Sequence, residues 1–258
     1  MLTTRNIPVT RSAAIVLLGV LLISVPVWPQ TGGTAAELAQ RAVEAVKVGD
    51  YEAAVAGFRS ALERDPELHQ VRFQLARVLA TQGQFESAVE EFRLVVEARP
   101  EDGLARRGEV TALLLLGRYA DARRRLEEGL IALPRDGQLA HTLARLLAVA
   151  PVEDIRDGQL AVQLATAVSE VVKLFETGET LAMAYAEAGD FDRAIDLQRG
   201  LVSRAEKAGD MVRAQSLRLR LLSYQRGEPW RASDPAEIAM ATQPPEAAQQ
   251  PGPAPVPR

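Results

Sequence analysis

Cysteine is absent from all 258 residues, and histidine occurs only as His69 and His141. Without cysteine there is no disulfide, no zinc–thiolate or iron–sulfur site, no cysteine nucleophile and no lipobox-type lipid anchor. Two histidines so far apart in sequence do not make a metal cluster. Aromatic residues are few, with two Trp, four Tyr and six Phe, and asparagine occurs once, as Asn6. Neither charge sign is in large excess: 30 basic against 34 acidic residues gives a net charge of −4. A general nucleic-acid binder normally carries a basic surplus, so no nucleic-acid partner is expected. Phosphate-binding glycine loops, a Gly-x-Ser-x-Gly elbow and a His-Glu-x-x-His pair are all missing. Carboxylates do occur side by side, as in Glu90-Glu91 and Glu127-Glu128. Neighbours on a helix point in different directions, whereas paired acid–base chemistry needs them to converge. The sequence therefore predicts no catalytic centre, no cofactor and no metal, and a protein that is not an enzyme.

The first thirty-four residues read as an address and a short linker. Arg5 and Arg11 precede an uncharged apolar run, Ala13 to Val27, interrupted by Gly19, Ser24 and Pro26. A basic start followed by such a run is the secretory-signal pattern. The run is shorter than the roughly 20 residues of a transmembrane helix, yet bulky Val27-Trp28-Pro29-Gln30 follow it in place of a small-x-small cleavage site. Two readings stay open, a cleaved signal peptide and a retained anchor formed by residues 13–27. Both place the remaining chain across a membrane, periplasmic or extracellular, and membrane contact is expected only through this segment if uncleaved.

The middle of the chain counts in thirty-fours. Pro66, Pro100 and Pro134 share that interval, as do Gly49, Gly83 and Gly117, and Tyr51, Phe85 and Tyr119. Ala54, Ala88 and Ala122 and then Phe58, Phe92 and Leu126 keep the same register. Such a period signals a repeat architecture. Phe73, Leu75, Ala76 and Leu79 give one helix a buried face, and the glycine ends it where a left-handed backbone costs little. The alanine permits a second helix to approach closely, and the proline closes that helix by lacking an amide hydrogen. Each hairpin has an apolar face it cannot bury alone, so neighbours must stack.

These columns resemble the tetratricopeptide repeat. Residues 35–68 carry its pattern in Ala42, Gly49, Tyr51, Ala54, Phe58, Ala61 and Pro66, and residues 69–102 in Leu75, Ala76, Gly83, Phe85, Ala88, Phe92 and Pro100. Residues 103–136 match more loosely. A fourth unit starts at Leu143, Ala144 and Leu147, then departs at Pro151 and the acidic stretch 152–157. A fifth returns with Leu181, Ala182, Tyr185, Gly189, Phe191 and Ala194. Its second helix should run to about Lys207, and Asp210 should cap a last helix ending near Arg226, with Leu217, Leu219, Leu221 and Leu222. The resemblance implies an all-α, right-handed superhelical solenoid over residues 35–230, made of about five hairpins and a C-terminal capping helix.

It also implies a concave groove lined by the first helix of each unit. Carried over residue by residue, that lining is Gln70, Phe73 and Arg77 in the second unit and Leu104, Arg107, Thr111 and Leu114 in the third. The fourth supplies Gln138, His141 and Arg145, and the fifth Met183. Glu176 and Glu179 make the far end acidic, while Val43 and Val46 make the near end apolar. Arginines fork onto carboxylates, so Arg77, Arg107 and Arg145 point to a partner protein or extended peptide of acidic character. The alternative, that these arginines pair with acids of neighbouring units, stays open at this stage. Arg123-Arg124-Arg125 falls on a second helix and reads as a solvated or salt-bridged convex face. The two-lysine, two-asparagine, one-arginine clamp of chaperone-binding members is missing, because its positions hold Ala39, Val43, Gln74, Leu104 and Gly108.

Residues 231–258 hold seven of the fifteen prolines and few apolar groups, which predicts a disordered Pro/Ala/Gln-rich tail. The expectation is thus a non-catalytic interaction scaffold exported across the cytoplasmic membrane. The competing expectation is a membrane-anchored accessory factor for envelope assembly or polysaccharide export.

Overall fold

Five helical hairpins, an eleventh helix packed on the last of them, one 3-10 turn and one short C-terminal helix account for the regular structure of residues 32–240, the part of the computed structural model that is described. All these helices belong to the unit that begins at Gly33. The apolar run 13–27 and residues 241–258 lie outside the described residues. The hairpins pair α1 (Ala35–Lys47) with α2 (Tyr51–Arg64), α3 (His69–Thr81) with α4 (Phe85–Ala98) and α5 (Gly103–Leu115) with α6 (Tyr119–Ala132). The fourth pairs α7 (Gly137–Val149) with α8 (Gly158–Val171), and the fifth α9 (Phe175–Glu187) with α10 (Phe191–Lys207). Helix α11 (Met211–Gln225) packs back on α10 after a glycine turn at Gly209, and α12 (Pro235–Ala239) follows it. The all-helical repeat solenoid expected from the 34-residue period is what forms.

The same local rules act at each turn. Gly49, Gly83, Gly117 and Gly189 adopt φ between 68° and 82°, the left-handed region that a Cβ disfavours. Each sits in a Schellman motif: the Asp50 N–H donates to the Ala45 carbonyl, that of Gln84 to Leu79, of Arg118 to Leu113 and of Asp190 to Tyr185. Side chains of Asp50, Asp102, Asp136, Asp190 and Asp210 then accept the first free amides of the helices they precede. The alanine column lies where helices cross, and Ala54, Ala88, Ala122 and Ala194 are fully buried beside Phe58, Phe92 and Leu126.

Hairpin four is built differently. Pro151 takes the place of the glycine turn, and a 3-10 turn, Glu153–Ile155, bulges out before α8. The hydrogen bond survives the excursion, because the Asp157 N–H reaches back to the Leu147 carbonyl at 3.0 Å. Asp157 thereby does for α7 what Asp50 does for α1, and its side chain caps α8 by accepting from the Leu160 amide. The Val149 carbonyl, at the end of α7, accepts instead from the Ala232 amide at 2.9 Å.

First helices of successive units meet directly, α3 with α5 and α7 with α9, and so form the inner layer. At the C-terminal end, α11 packs Ala214 and Leu217 onto Leu201, Val202 and Phe175. It caps with one face only, since Leu219 and Leu222 are exposed.

The expected tail begins too early. Residues 231–240 are not a solvated tail but lie on the inner layer, with α12 packed against α5 and α7. Ala232, Ile238 and Ala239 are buried in the main hydrophobic core. Composition hides this because only a few apolar residues are needed when each is fully buried. The local signal is a helix start: Asp234 accepts from the Ala236 amide, Pro235 fills the first helical position and Glu237 the third.

Candidate functional site

The inner layer divides into an open half and a covered half. In the open half, on α1 and α3, Val43 and Gln70 are exposed. Phe73 is half-buried and meets the Phe92 ring edge-on, with centroids 5.8 Å apart at 65°. Arg77 is exposed, and its guanidinium carbon lies 5.9 Å from the Phe73 ring centre, a loose cation–π contact. Its Nη1 donates to Gln74 Oε1 at 3.2 Å, and no carboxylate lies within 4 Å among the described residues. On α5, Leu104 projects into solvent with 61 % of its surface exposed. Arg107 and Thr111 follow on the same helix, both half-buried, and Thr111 Oγ1 donates to the Arg107 carbonyl.

Arg107 is not available as a free cation. Its Nη1 pairs at 2.8 Å with Asp136, the residue that caps α7 of the next unit. Here the alternative of internal pairing holds. A carboxylate placed to cap one helix lies beside the first turn of the preceding inner helix.

The covered half begins at Leu114, which is fully buried. Gln138 remains half-exposed at the start of α7, but His141, Arg145 and Met183 are buried. Leu114 and Met183 therefore do not line the groove as expected, while His141 and Arg145 are mostly buried and reach only the clefts beside Met240. Leu114, Met183 and Ile238 belong to one continuous core. His141 Nε2 lies 2.9 Å from Thr180 Oγ1 on α9. Arg145 donates through Nε to the Glu237 carbonyl at 2.8 Å and through Nη1 to Thr180 Oγ1 at 3.4 Å. Burial holds the Arg145 guanidinium below its usual range, against the pull of the Glu179 charge.

The expected acidic end is also engaged. Glu179 is buried 3.6 Å from Arg220, and Glu176 pairs with Arg213 at 3.2 Å. Tyr224 lies beneath these groups, and burial pushes its phenol well above the usual range. Two ion pairs anchor the chain that leads into the groove: Arg156 of the 3-10 bulge holds Glu187 at 3.0 Å, and Glu187 also holds Arg231 at 2.6 Å. Glu237 turns its carboxylate toward its own segment, accepting from Trp230 Nε1 and from the Ser233 amide and hydroxyl.

On the outer layer, Arg123, Arg124 and Arg125 pair with Glu127, Asp121 and Glu109 respectively. Arg123 and Arg124 form the salt-bridged face expected of them, whereas Arg125 turns inward to the buried Glu109 of α5. No group of three or more His, Asp or Glu residues able to hold a metal occurs among the described residues. No helix among them is long and apolar enough to cross a membrane.

Two tetratricopeptide repeat models match the chain, over residues 39–103 and 82–147. No curated protein matches it in sequence. Solved structures share the fold at low identity. A tetratricopeptide repeat protein from Parabacteroides merdae superposes with a TM-score of 0.63 at 15 % identity, over 81 % of this chain and 80 % of its own. MamA from Desulfovibrio magneticus gives 0.59 at 17 %, over 70 % and 99 %. YrrB, described as having an unusual peptide-binding site, gives 0.53 at 21 %, over 67 % and 92 %. The matched models and the repeated glycine turns and buried alanines agree, and the chain belongs to the tetratricopeptide repeat family.

Proposed function

We propose that the protein is a non-catalytic interaction scaffold that binds an extended, acidic segment of a partner along the open half of its inner face. Arg77 carries the reading. It is exposed, lies over an aromatic ring at cation–π distance and has no carboxylate partner among the described residues. A guanidinium with its donors unmatched by a carboxylate can fork onto one supplied by a partner. Phe73 beside it and the exposed Leu104 at the start of α5 offer apolar surface. The peptide-binding site ascribed to YrrB accords with this reading through the shared fold. Fluorescence anisotropy of the full chain against labelled Asp/Glu-rich and neutral peptides tests it. Acidic peptides should bind at least about tenfold more tightly, equivalent to about 1.4 kcal/mol. Arg77→Gln combined with Phe73→Ala should remove that preference. Equal binding of acidic and neutral peptides, or a variant indistinguishable from the parent, would refute it.

Export of the scaffold is part of the proposal and rests on Arg5, Arg11 and the apolar run 13–27. Bulky residues after the run favour a second form of it, in which the segment stays as a membrane anchor. Fractionation with N-terminal sequencing separates the two. A soluble envelope protein starting near residues 31–36 sinks the anchored form, and an uncleaved chain in the membrane fraction sinks the cleaved one.

A further inference from the structure

The covered half of the inner face has the features of a binding site whose occupant is the chain itself. Arg145 is 6 % exposed, and no carboxylate comes within 4 Å of it among the described residues. Its polar contacts are a hydroxyl, Thr180, and a backbone carbonyl, that of Glu237. A buried guanidinium is normally matched to a carboxylate, because two fixed donors and a full charge then find a complementary group. A carbonyl supplies the geometry without the charge.

The segment that brings this carbonyl is held as a bound peptide is held. One main-chain hydrogen bond fixes its start, from Ala232 to Val149. One aliphatic side chain, Ile238, is fully buried as an anchor. One ion pair, Arg231 with Glu187, steadies the approach. The Val149 carbonyl is where hairpin four lacks its glycine turn, so the irregular unit and the segment fit each other. At the end of the segment, Met240 borders two clefts of about 270 and 370 Å³, both reaching His141 and Glu176.

We propose that the inner face over α5 and α7 is a second peptide site, filled in cis by residues 230–240. Its partner in trans is a short helical segment that places an aliphatic side chain where Ile238 lies and a carboxylate on Arg145. The cis segment competes with that partner, and an intact chain binds only when residues 230–240 lift away. The proposal rests on the reading of the chain as a peptide-binding scaffold. It uses different residues from the Arg77 surface, so either can fail alone.

The test uses the full chain and two labelled synthetic peptides with amidated ends. The first has the sequence of residues 230–240, and in the second Met240, which borders the same cleft as Arg145, is replaced by Glu to offer a carboxylate there. Ile238→Glu in the protein should release the cis segment and raise affinity for both peptides at least tenfold over the parent, more for the second. Adding Arg145→Gln should abolish the advantage of the second peptide. A folded Ile238→Glu chain that binds neither peptide, or binds them no better than the parent, overturns the proposal. Hydrogen exchange on the unmodified chain is independent of any variant. The amides of Ala232 and Glu237 should exchange at least tenfold faster than those inside α5 and α7. Equal protection would mean a permanent structural cap and would also overturn it.

Discussion

Replacing Gly158 by alanine tests the irregular hairpin directly. Gly158 opens α8, and a Cβ built there would lie 2.5 Å from the Ala188 nitrogen, 2.7 Å from its Cα and 2.7 Å from the Glu187 carbonyl carbon. Carbon contacts are comfortable at about 3.5–4.0 Å, so the methyl is about 1 Å too close. The obstructing atoms are backbone at the end of α9 and cannot rotate away. Relief requires α8 and α9 to part, which disturbs an interface that includes the buried Ala161 and Ala165. Overpacking of this kind costs about 1–3 kcal/mol. Alanine regains about 0.4–1 kcal/mol by restricting the unfolded chain, so a net loss of up to about 2.6 kcal/mol is expected. For a domain of this size, at about 2–4 °C per kcal/mol, that lowers the melting temperature by up to about 10 °C. Gly137 supplies the matched control, since it also opens a helix behind an aspartate cap but has no atom within 4 Å of its virtual Cβ. Gly137→Ala should be neutral or slightly stabilising. Thermal melts followed by far-UV circular dichroism compare the two. A Gly158→Ala protein as stable as the parent, or equal shifts for both glycines, would refute the close approach of α8 to α9.

The repeat register and a buried charge give two further tests. Ala88→Leu introduces three carbons at a fully buried helix crossing and should cost about 1–3 kcal/mol, read from urea denaturation midpoints. An unchanged midpoint would mean that the crossing has room. Glu109 sits 2.6 Å from Arg125, yet burial pushes its carboxyl above the usual range, against the pull of Arg125 and Arg106. A pKa raised by folding means that the folded state holds the proton more tightly. That contribution is complete below the unfolded value and is lost as pH rises through the folded one. Glu109→Gln removes the titration, so the melting temperature of the variant minus that of the parent should increase from about pH 4 to about pH 7. Parallel curves would contradict the raised value.

What could be read from the sequence was whatever local chemistry repeats. The glycine column is legible because a left-handed residue must end each first helix, and the alanine column because a close crossing tolerates only a small side chain. Asp210 as a cap and Lys207 as the end of α10 follow from the same rules. Ligand availability was less legible. Arg77, Arg107 and Arg145 look alike as letters, but one lies in the open beside a ring, one is paired with a helix cap and one is buried under a distant segment. The residues that decide this, Asp136 and Glu237, are 29 and 92 positions away. No helical period connects them.

The two irregularities of the sequence explain each other. Hairpin four departs from the repeat at Pro151, and the C-terminal segment departs from the composition of the solenoid at about Arg231. Taken separately, the first is a flawed turn and the second a loose tail. In the folded chain the open turn leaves the Val149 carbonyl at the edge of the inner face, and Ala232 takes it. The bulge positions Arg156 to hold Glu187, and Glu187 holds Arg231. A regular glycine turn here would leave no bulge to carry Arg156 and no open Val149 carbonyl. The break keeps the hydrogen bond that the period provides, from Asp157 to Leu147, and turns the Val149 carbonyl to a contact outside the repeat. In this chain that contact is the segment lying over Arg145.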